Sequence, residues 1–229
     1  MNAIEVIANR ANELMGRPLG TKSPVHPNDH VNASQSSNDS FPTVMHVVTV
    51  LELEERLKPS LALLRESLQE RADTFVDVVK IARTHLMDAV PMTMGQSFDT
   101  FARQVAHGID RVDATMPRLL SLPQGGTAAG TGLNAPPDFD LYFCEEISAL
   151  TGRDFSPNAS KFEGMAAHDA LVEVSGALIS SQKCRSKSGG AFKPVPAAVP
   201  PCGSDRSRGM VASIRSIPCA IWRAKVSKL

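Results

Sequence analysis

Apolar residues recur at helical intervals through most of the first 178 residues, and this spacing is the feature that most constrains the fold. Over residues 3–15 the apolar side chains share one helical face, and Gly16 stands where such a helix would end. Longer patterns run over Thr43–Leu57 and from Pro59 to Ala72. Further helices are predicted at 97–115, 138–151 and 164–181. Convincing apolar–polar alternation over several positions is missing, so the sequence predicts an all-α fold with a long helical bundle.

The composition agrees with helices packed on helices. Aromatic residues make up only 5% of the chain, whereas β-sandwiches are usually rich in them. No apolar run approaches the roughly 18 residues that a membrane span needs, and the N-terminal segment lacks the layout of an export signal. The four cysteines show no CxxC spacing, which favours free thiols in the cytoplasm or the mitochondrial matrix.

Polar residues concentrate in the segments predicted to be loops, and three of these segments could carry chemistry. They are HPNDHVNASQSSND at 26–39, RTHLMD at 83–88 and GGTAAGTGLN at 125–134. Each adjoins an apolar helical pattern, as expected of a bundle whose chemistry lies on connecting loops. Hydroxyls, carboxamides and imidazoles without a nucleophilic cysteine suit a small dianion held by hydrogen bonds.

Each segment also has a purely structural interpretation. Ser36–Asp39 could simply cap the helix that follows, and His85 could be an ordinary, partly buried histidine. His26 and His30 have the spacing of zinc ligands on a helix, but Pro27 favours a loop and no third ligand pattern follows. The glycines at 130 and 132 match the letters of a dinucleotide-binding motif, but no strand precedes them, so that interpretation is rejected.

The charge distribution separates the last 51 residues from the rest. Residues 1–178 carry 14 Lys and Arg against 23 Asp and Glu, whereas 179–229 carry 10 basic residues against a single acid, Asp205. The same stretch holds three of the four cysteines and the only tryptophan. The change predicts a basic, Ser/Pro/Arg-rich tail with poor packing across 182–219, of the kind that a shifted reading frame would produce. Its scattered arginines lack the aromatic residues of a nucleic-acid site, so no nucleic-acid partner is expected.

Together, the polar segments resemble the fumarase family across residues 1–178. The resemblance rests on MNAIEVIANRANELMG, HPNDHVNASQSSNDSFPT, RTHLMDAVPMTMGQ, GGTAAGTGLN and SKFEGMAAHDALVEVSGAL, in that order. Aspartate ammonia-lyase is a near relative with the same scaffold. His85 and Ser37 favour fumarase, because aspartase-like sequences typically have glutamine and threonine there, and Gly126 agrees. The resemblance implies a class II, iron-independent fumarate hydratase with a fumarase/aspartase-like bundle.

The resemblance also implies roles for particular residues. His85 matches the family's active-site histidine, which transfers a proton at the hydroxyl of malate. The substrate-binding positions are matched by Ser36, Ser37, Asn38 and Thr84. A second carboxylate-binding site is matched by His26, Pro27, Asn28 and Asp29. The implied reaction is an anti elimination of water from malate through a carbanion, without a metal or an organic cofactor, in a homotetramer whose active sites combine several subunits.

The resemblance does not extend over the whole family sequence. Residues 1–36 correspond to a remnant of the N-terminal domain and 37–178 to part of the central bundle, while 179–229 are divergent. The expected N-terminal substrate-binding segment and the later loop with a serine base and a lysine have no counterpart here. The chain is therefore expected to be truncated at both ends. A catalytically silent helical fragment or subunit is the alternative to an active hydratase, with an ammonia-lyase as a third interpretation.

Overall fold

The computed structural model describes the backbone of residues 2–188 and the side chains of residues 3–181. Most of these residues belong to helices: α1 (Asn2–Leu14), α2 (Ser37–Glu52), α3 (Lys58–Thr74), α4 (Met94–Leu119), α5 (Phe139–Thr151), α6 (Lys161–Ala166) and α7 (Asp169–Ser188). The predicted all-α fold class is confirmed. None of the described helices has the length and apolar character needed to cross a membrane. Of the predicted tail, 189–229 lies outside the described residues.

Every predicted helix is present, but some boundaries differ. The helix predicted from Thr43 starts at Ser37, so it includes the last residues of the polar segment at 26–39. Pro42 has no backbone N–H to donate within a helix, yet it lies inside α2. The helix starts before Pro42 because Ser36 caps its N-terminus. A π-helical turn at Leu53–Leu57 joins α2 to α3. The pattern at 164–181 is divided between α6 and α7, which are separated by Ala167 and His168.

The segment RTHLMD at 83–88, predicted to be a loop, lies within a β-hairpin, so that prediction was wrong. Strand β1 (Val79–Thr84) pairs antiparallel with β2 (Met87–Thr93). Two features hid the hairpin. Neither strand has a buried face in the described chain, so no apolar alternation marks them, and the turn lacks the Asn-Gly or Asp-Gly signal. A shorter parallel pair joins β3 (Ser121–Leu122) to β4 (Ser156–Pro157).

Contacts divide the described residues into two compact units. The first contains residues up to Thr49 together with Arg118–Asp169, and its buried side chains include Val47, Leu122 and Ile147. The predicted segments 1–36, 37–178 and 179–229 follow the family resemblance rather than these contacts, and they stay predictions.

The second unit contains Val50–Pro117 and the part of α7 that follows Asp169. Leu53, Val112 and Val174 are buried in it. The rings of Phe75 and Phe98 stack with their centroids 5.8 Å apart. Burial of these apolar side chains is the main contribution to the stability of each unit.

Glycine is required at position 130, within the glycine-rich loop (residues 123–137) of the first unit. Gly130 has a φ of +113°, a conformation that L side chains rarely adopt. A Cβ atom there would lie 2.8 Å from the Phe162 ring and 2.9 Å from the Phe162 nitrogen. The loop and the start of α6 can approach this closely only because position 130 has no side chain.

We predict that Gly130→Ala lowers the free energy of unfolding by about 1–3 kcal/mol, because the variant combines backbone strain with a steric clash. Gly176→Ala is the matched control, since position 176 is an exposed helix position where an added Cβ meets nothing within 4 Å. That change should be neutral or stabilise the chain by up to about 1 kcal/mol. Urea unfolding followed by circular dichroism measures both. Equal stability of the two variants would contradict this interpretation.

A buried histidine joins α2 to the end of α4 within the first unit. His46 is only 4% exposed, and its Nδ1 lies 3.1 Å from the carbonyl oxygen of Leu119. Because a carbonyl can only accept, neutral His46 must carry its proton on Nδ1. Burial lowers the pKa of His46 below its ordinary value of 6.5, and this effect outweighs the opposing influence of the Leu119 and Ser121 carbonyls.

We predict that the chain loses stability as the pH falls below about 6.5, because the unfolded chain takes up the His46 proton more readily than the folded chain. One such proton changes the free energy of unfolding by at most about 1.4 kcal/mol per pH unit. His46→Asn, which does not titrate, should reduce the slope measured by urea unfolding between pH 7.5 and 5. His107→Asn, at an exposed position, is the control for the substitution itself. An unchanged slope in His46→Asn would refute the assignment.

Candidate active site

The predicted substrate-binding residues Ser36, Ser37 and Asn38 lie at the N-terminus of α2. Ser36 is the N-cap: its Oγ accepts a hydrogen bond from the Asn38 nitrogen at 3.2 Å, and Asp39 Oδ1 accepts one from the Ser36 nitrogen at 2.9 Å. This reciprocal pair is a capping box. The capping interpretation of this segment is therefore correct for Ser36 and Asp39. Ser37 and Asn38 are exposed, and the capping interactions leave their side chains accessible to a ligand.

Asp39 also ties the start of α2 to the glycine-rich loop. It is fully buried, and its Oδ2 accepts hydrogen bonds from Gln124 Nε2 at 3.3 Å, the Gly125 nitrogen at 3.2 Å and the Thr127 nitrogen at 2.9 Å. A second bond crosses the same junction, from Asn38 Nδ2 to the carbonyl oxygen of Ala128 at 2.7 Å. Two of the three polar segments noted in the sequence are thus brought together.

The N-terminus of α2 favours a negatively charged ligand. A helix N-terminus carries a partial positive charge, and side chains there are well placed to contact an anion. The hydroxyl of Ser37 and the carboxamide of Asn38 are exposed at this end of α2. Their chemistry allows neutral hydrogen bonds to a carboxylate.

The segment His26–Asp29 forms a π-helical turn that extends over Pro27–Val31. His26 is its N-cap and accepts a hydrogen bond at Nδ1 from the Asp29 nitrogen at 3.3 Å. The preceding residue is anchored on α1, because Asn12 donates to the Val25 carbonyl at 2.9 Å and accepts from the Val25 nitrogen at 2.8 Å. The segment is thus a fixed turn rather than an irregular loop.

Two imidazoles in this turn are already engaged with the backbone. The backbone nitrogen of His26 donates a hydrogen bond to His30 Nδ1 at 2.8 Å. The backbone nitrogen of Asp29 likewise donates a hydrogen bond to His26 Nδ1. Both Nδ1 lone pairs are therefore occupied, which argues against the zinc interpretation of the His26–His30 spacing. Pro27 is buried, whereas Asn28 and Asp29 are exposed, so the ligand-accessible groups of the predicted second carboxylate site are those two side chains and His26.

Thr84 and His85 belong to the second unit, where Thr84 ends β1 and His85 begins the hairpin turn. The turn residues His85 and Leu86 have φ angles of +50° and +62°, as a two-residue type I′ turn requires. Positive φ is strained for a bulky residue such as leucine, and such strain is concentrated at functional sites. Thr84 and His85 are exposed, and an ion pair between Arg83 and Asp88, 2.9 Å apart, joins the strands beside them.

A cavity of about 380 Å³ lies beside the glycine-rich loop in the first unit. Lys161 and Asp140 form an ion pair on its wall. Burial raises the pKa of Asp140, but the hydrogen bond and charge of Lys161 outweigh burial, so that the pKa is lowered overall. None of the predicted site residues lines this cavity.

Sequence reasoning did not identify Asp39, Gln124 and Thr127 as determinants of the site. The spacing Ser36-x-x-Asp39 contains a detectable signal, because a serine with an acid three residues later is typical of a capping box. No local pattern shows that the carboxylate of Asp39 also contacts residues 85 to 88 positions away. That contact depends on the packing of the first unit.

Comparison with known proteins agrees with the sequence and the fold. The family model described as "Lyase" matches residues 1–182. Mitochondrial fumarate hydratase of Rhizopus oryzae is 56% identical over 178 residues, which are 78% of this chain and 36% of that protein. Class II fumarate hydratase of Methylorubrum extorquens is 54% identical over 178 residues, or 78% of this chain and 38% of its own length.

Solved structures lead to the same group of proteins. The class II fumarase of Schistosoma mansoni superposes with a TM-score of 0.80 at 36% identity, covering 88% of this chain and 45% of that one. A fumarate lyase:delta crystallin protein from Brucella melitensis superposes with a TM-score of 0.77 at 33% identity, covering 89% of this chain and 47% of that one. The chain spans little more than a third of the length of the curated relatives it matches. By sequence and by fold, the chain belongs to the lyase family that includes the class II fumarate hydratases.

Proposed function

We propose that this chain supplies part of a fumarate hydratase active site, which interconverts fumarate and malate. The observation that carries the proposal is the N-terminus of α2, where exposed Ser37 and Asn38 lie at the positive end of a helix fixed by buried Asp39. A dicarboxylate carries the charge that such a site favours. The names of the relatives support fumarate and malate as that dicarboxylate.

Ser36, Ser37, Asn38 and Thr84 are proposed to bind the substrate through neutral hydrogen bonds. Removal of a proton from C3 of malate creates a carbanion whose charge spreads into the adjacent carboxylate. Donors already aligned with that carboxylate stabilise the charge as it develops, which lowers the barrier. Fixing of the α2 N-terminus by Asp39 supports such alignment, because side chains on a held backbone reorganise little during the reaction.

His85 is proposed to transfer a proton to the departing hydroxyl group. An imidazole suits this role because its ordinary pKa lies near neutral pH. The exposed position of His85 in a strained hairpin turn supports the proposal, since an exposed side chain is accessible to a ligand. The alternative of an ordinary, partly buried histidine is wrong about burial, because His85 is exposed; an ordinary exposed histidine would predict no effect of its replacement on turnover.

His26, Pro27, Asn28 and Asp29 are proposed to form a second carboxylate-binding site. Backbone hydrogen bonds hold the turn, and Asn28 presents an exposed carboxamide. Asp29 opposes an anion, and its Oδ2 lies 3.1 Å from His26 Nδ1, so Asn28 is the group in this turn best suited to donate to a carboxylate.

The hairpin is proposed to bind another subunit, consistent with the homotetramer expected for the family. Its apolar side chains are unusually exposed: Leu86 is 96% exposed, Val79 72% and Met87 70%. Exposed apolar patches of this kind mark interaction surfaces. Docking of the hairpin would bring Thr84 and His85 to a neighbouring subunit, as a site built from several chains requires.

We predict that the 229-residue chain by itself shows no measurable hydration of fumarate. Its match to the relatives covers only 36–38% of their length, and the serine loop expected to supply the base has no counterpart in this sequence. The measurement is the absorbance of fumarate, with monodisperse protein from a host whose own fumarases are deleted. Turnover near a typical enzyme value of about 10 per second would contradict the prediction and would mean that 179–229 supplies a base.

We predict that this chain restores activity when it is mixed with an inactive full-length class II fumarate hydratase subunit. That subunit is inactivated beforehand by asparagine at its position matching His85. The parent chain should recover activity in the mixed assembly. The variant His85→Asn should then lower kcat by about 10²–10⁴-fold with little change in KM, because its role lies in the transition state.

The exposed His107 supplies the matched control for this experiment, and His107→Asn should leave the recovered activity unchanged. Recovery with His85→Asn equal to that of the parent chain would remove His85 from the mechanism. If the parent chain co-purifies with the full-length subunit but no activity is recovered, the result favours the alternative, in which this chain is a catalytically silent subunit.

A further inference from the structure

We propose that Asp39 is a positioning residue that fixes the orientation of the Asn38 carboxamide through the glycine-rich loop. The significance of this orientation rests on the proposed function, in which Asn38 binds the substrate. Asp39 itself is buried, and hydrogen bonds connect it to Gly125 and Thr127 of the loop, whose Ala128 carbonyl accepts from Asn38.

The two carboxylate oxygens of Asp39 act on different segments. Oδ1 accepts from the Ser36 nitrogen at 2.9 Å and from Ser40 Oγ at 3.2 Å, both within the start of α2. Oδ2 accepts from Gln124, Gly125 and Thr127 of the loop, at 2.9–3.3 Å. A helix cap needs only the first set of bonds. The second set therefore indicates a role beyond capping.

The loop has internal backbone hydrogen bonds, but its strained residue Thr127 is bonded to Asp39 outside the loop. Thr127 has a φ of +56°, which is strained for a β-branched residue. Its hydroxyl is buried and, within the part of the chain that the structure describes, has no hydrogen-bond partner, so the side chain does not offset this strain. The Thr127 nitrogen instead donates to Asp39 at 2.9 Å, which ties this strained residue to the start of α2.

Holding Thr127 also holds the next residue, Ala128, whose carbonyl oxygen accepts the hydrogen bond from Asn38 Nδ2 at 2.7 Å. This bond occupies one N–H of the Asn38 carboxamide. The other N–H and the oxygen, on an exposed side chain, stay available to a carboxylate or hydroxyl ligand. The order of dependence is Asp39, then the loop, then Asn38.

The first test uses the ¹⁵N-labelled 229-residue chain without any ligand. Asp39→Asn keeps the size of the side chain but replaces one charged acceptor by a donor. Amide hydrogen exchange at Gly125 and Thr127 should accelerate at least about tenfold, as the loss of charge-assisted bonds implies. The heteronuclear NOE of Asn38 Nδ2 should fall towards that of a freely rotating carboxamide. Asn38→Ala, in contrast, should leave Gly125 and Thr127 protected.

Thr43→Val is the matched control for a buried change in the same helix. Thr43 is 1% exposed and its Oγ1 donates to the Asp39 carbonyl at 2.7 Å, but it is not part of the route from Asp39 to Asn38. Its replacement should leave the Asn38 NOE unchanged. If Asp39→Asn fails to fold, Gln124→Met removes one loop donor with little change in shape and should still lower the Asn38 NOE. The proposal is overturned if the variant that folds, Asp39→Asn or Gln124→Met, has the same Asn38 NOE as the parent chain.

The second test measures turnover in a mixed assembly whose full-length subunit is inactivated by alanine at the position matching Asn38 but keeps its own histidine, so that the recovered site depends on Asn38 of this chain. Asp39→Asn should lower kcat/KM at least about tenfold while Thr43→Val does not, because a misoriented Asn38 no longer meets the developing charge. If the parent chain recovers no activity, the proposed function fails, but the exchange and NOE results still decide the positioning role. If activity is recovered and Asp39→Asn matches the parent in kcat/KM, the proposal is wrong.

Discussion

The buried carboxylate of Asp39 is the interaction on which the geometry of the first unit's candidate site depends. Burial of a charge is costly unless hydrogen bonds replace the lost water, and here five donors surround the two oxygens. Since those donors come from the start of α2 and from the glycine-rich loop, neither segment can move without leaving the charge unsatisfied. The most polar group in the core therefore gives the site its rigidity.

Backbone strain occurs at two places in this chain where chemistry is proposed. Thr127 has positive φ in the glycine-rich loop, and His85 with Leu86 has positive φ in the hairpin turn. Conformations of this kind persist only where neighbouring interactions enforce them. In the loop that enforcement comes from Asp39, and in the turn it comes from the pairing of β1 with β2. The two proposed parts of the site are thus held by different interactions in different units.

The family relationship and the limited coverage of the relatives lead to one interpretation of the chain. A fold match covers most of the described residues, while the chain spans little more than a third of its curated relatives. Exposed apolar residues on the hairpin are consistent with a surface that another subunit would cover. Under the proposed function, the chain would contribute binding groups and a proton-transfer histidine to a site that other polypeptide segments complete.

The sequence by itself determined the helical class, the approximate helix positions and the family, because apolar periodicity and short polar motifs are local features. The capping signal Ser36-x-x-Asp39 was also local. The hairpin at 79–93 was not predictable, because its strands have no buried face and its His-Leu turn carries no typical turn residues. The contacts of Asp39 with residues 124–127 were decided by tertiary structure alone. A hydrogen bond across more than 80 residues depends on how the chain packs, and no spacing in the sequence records it.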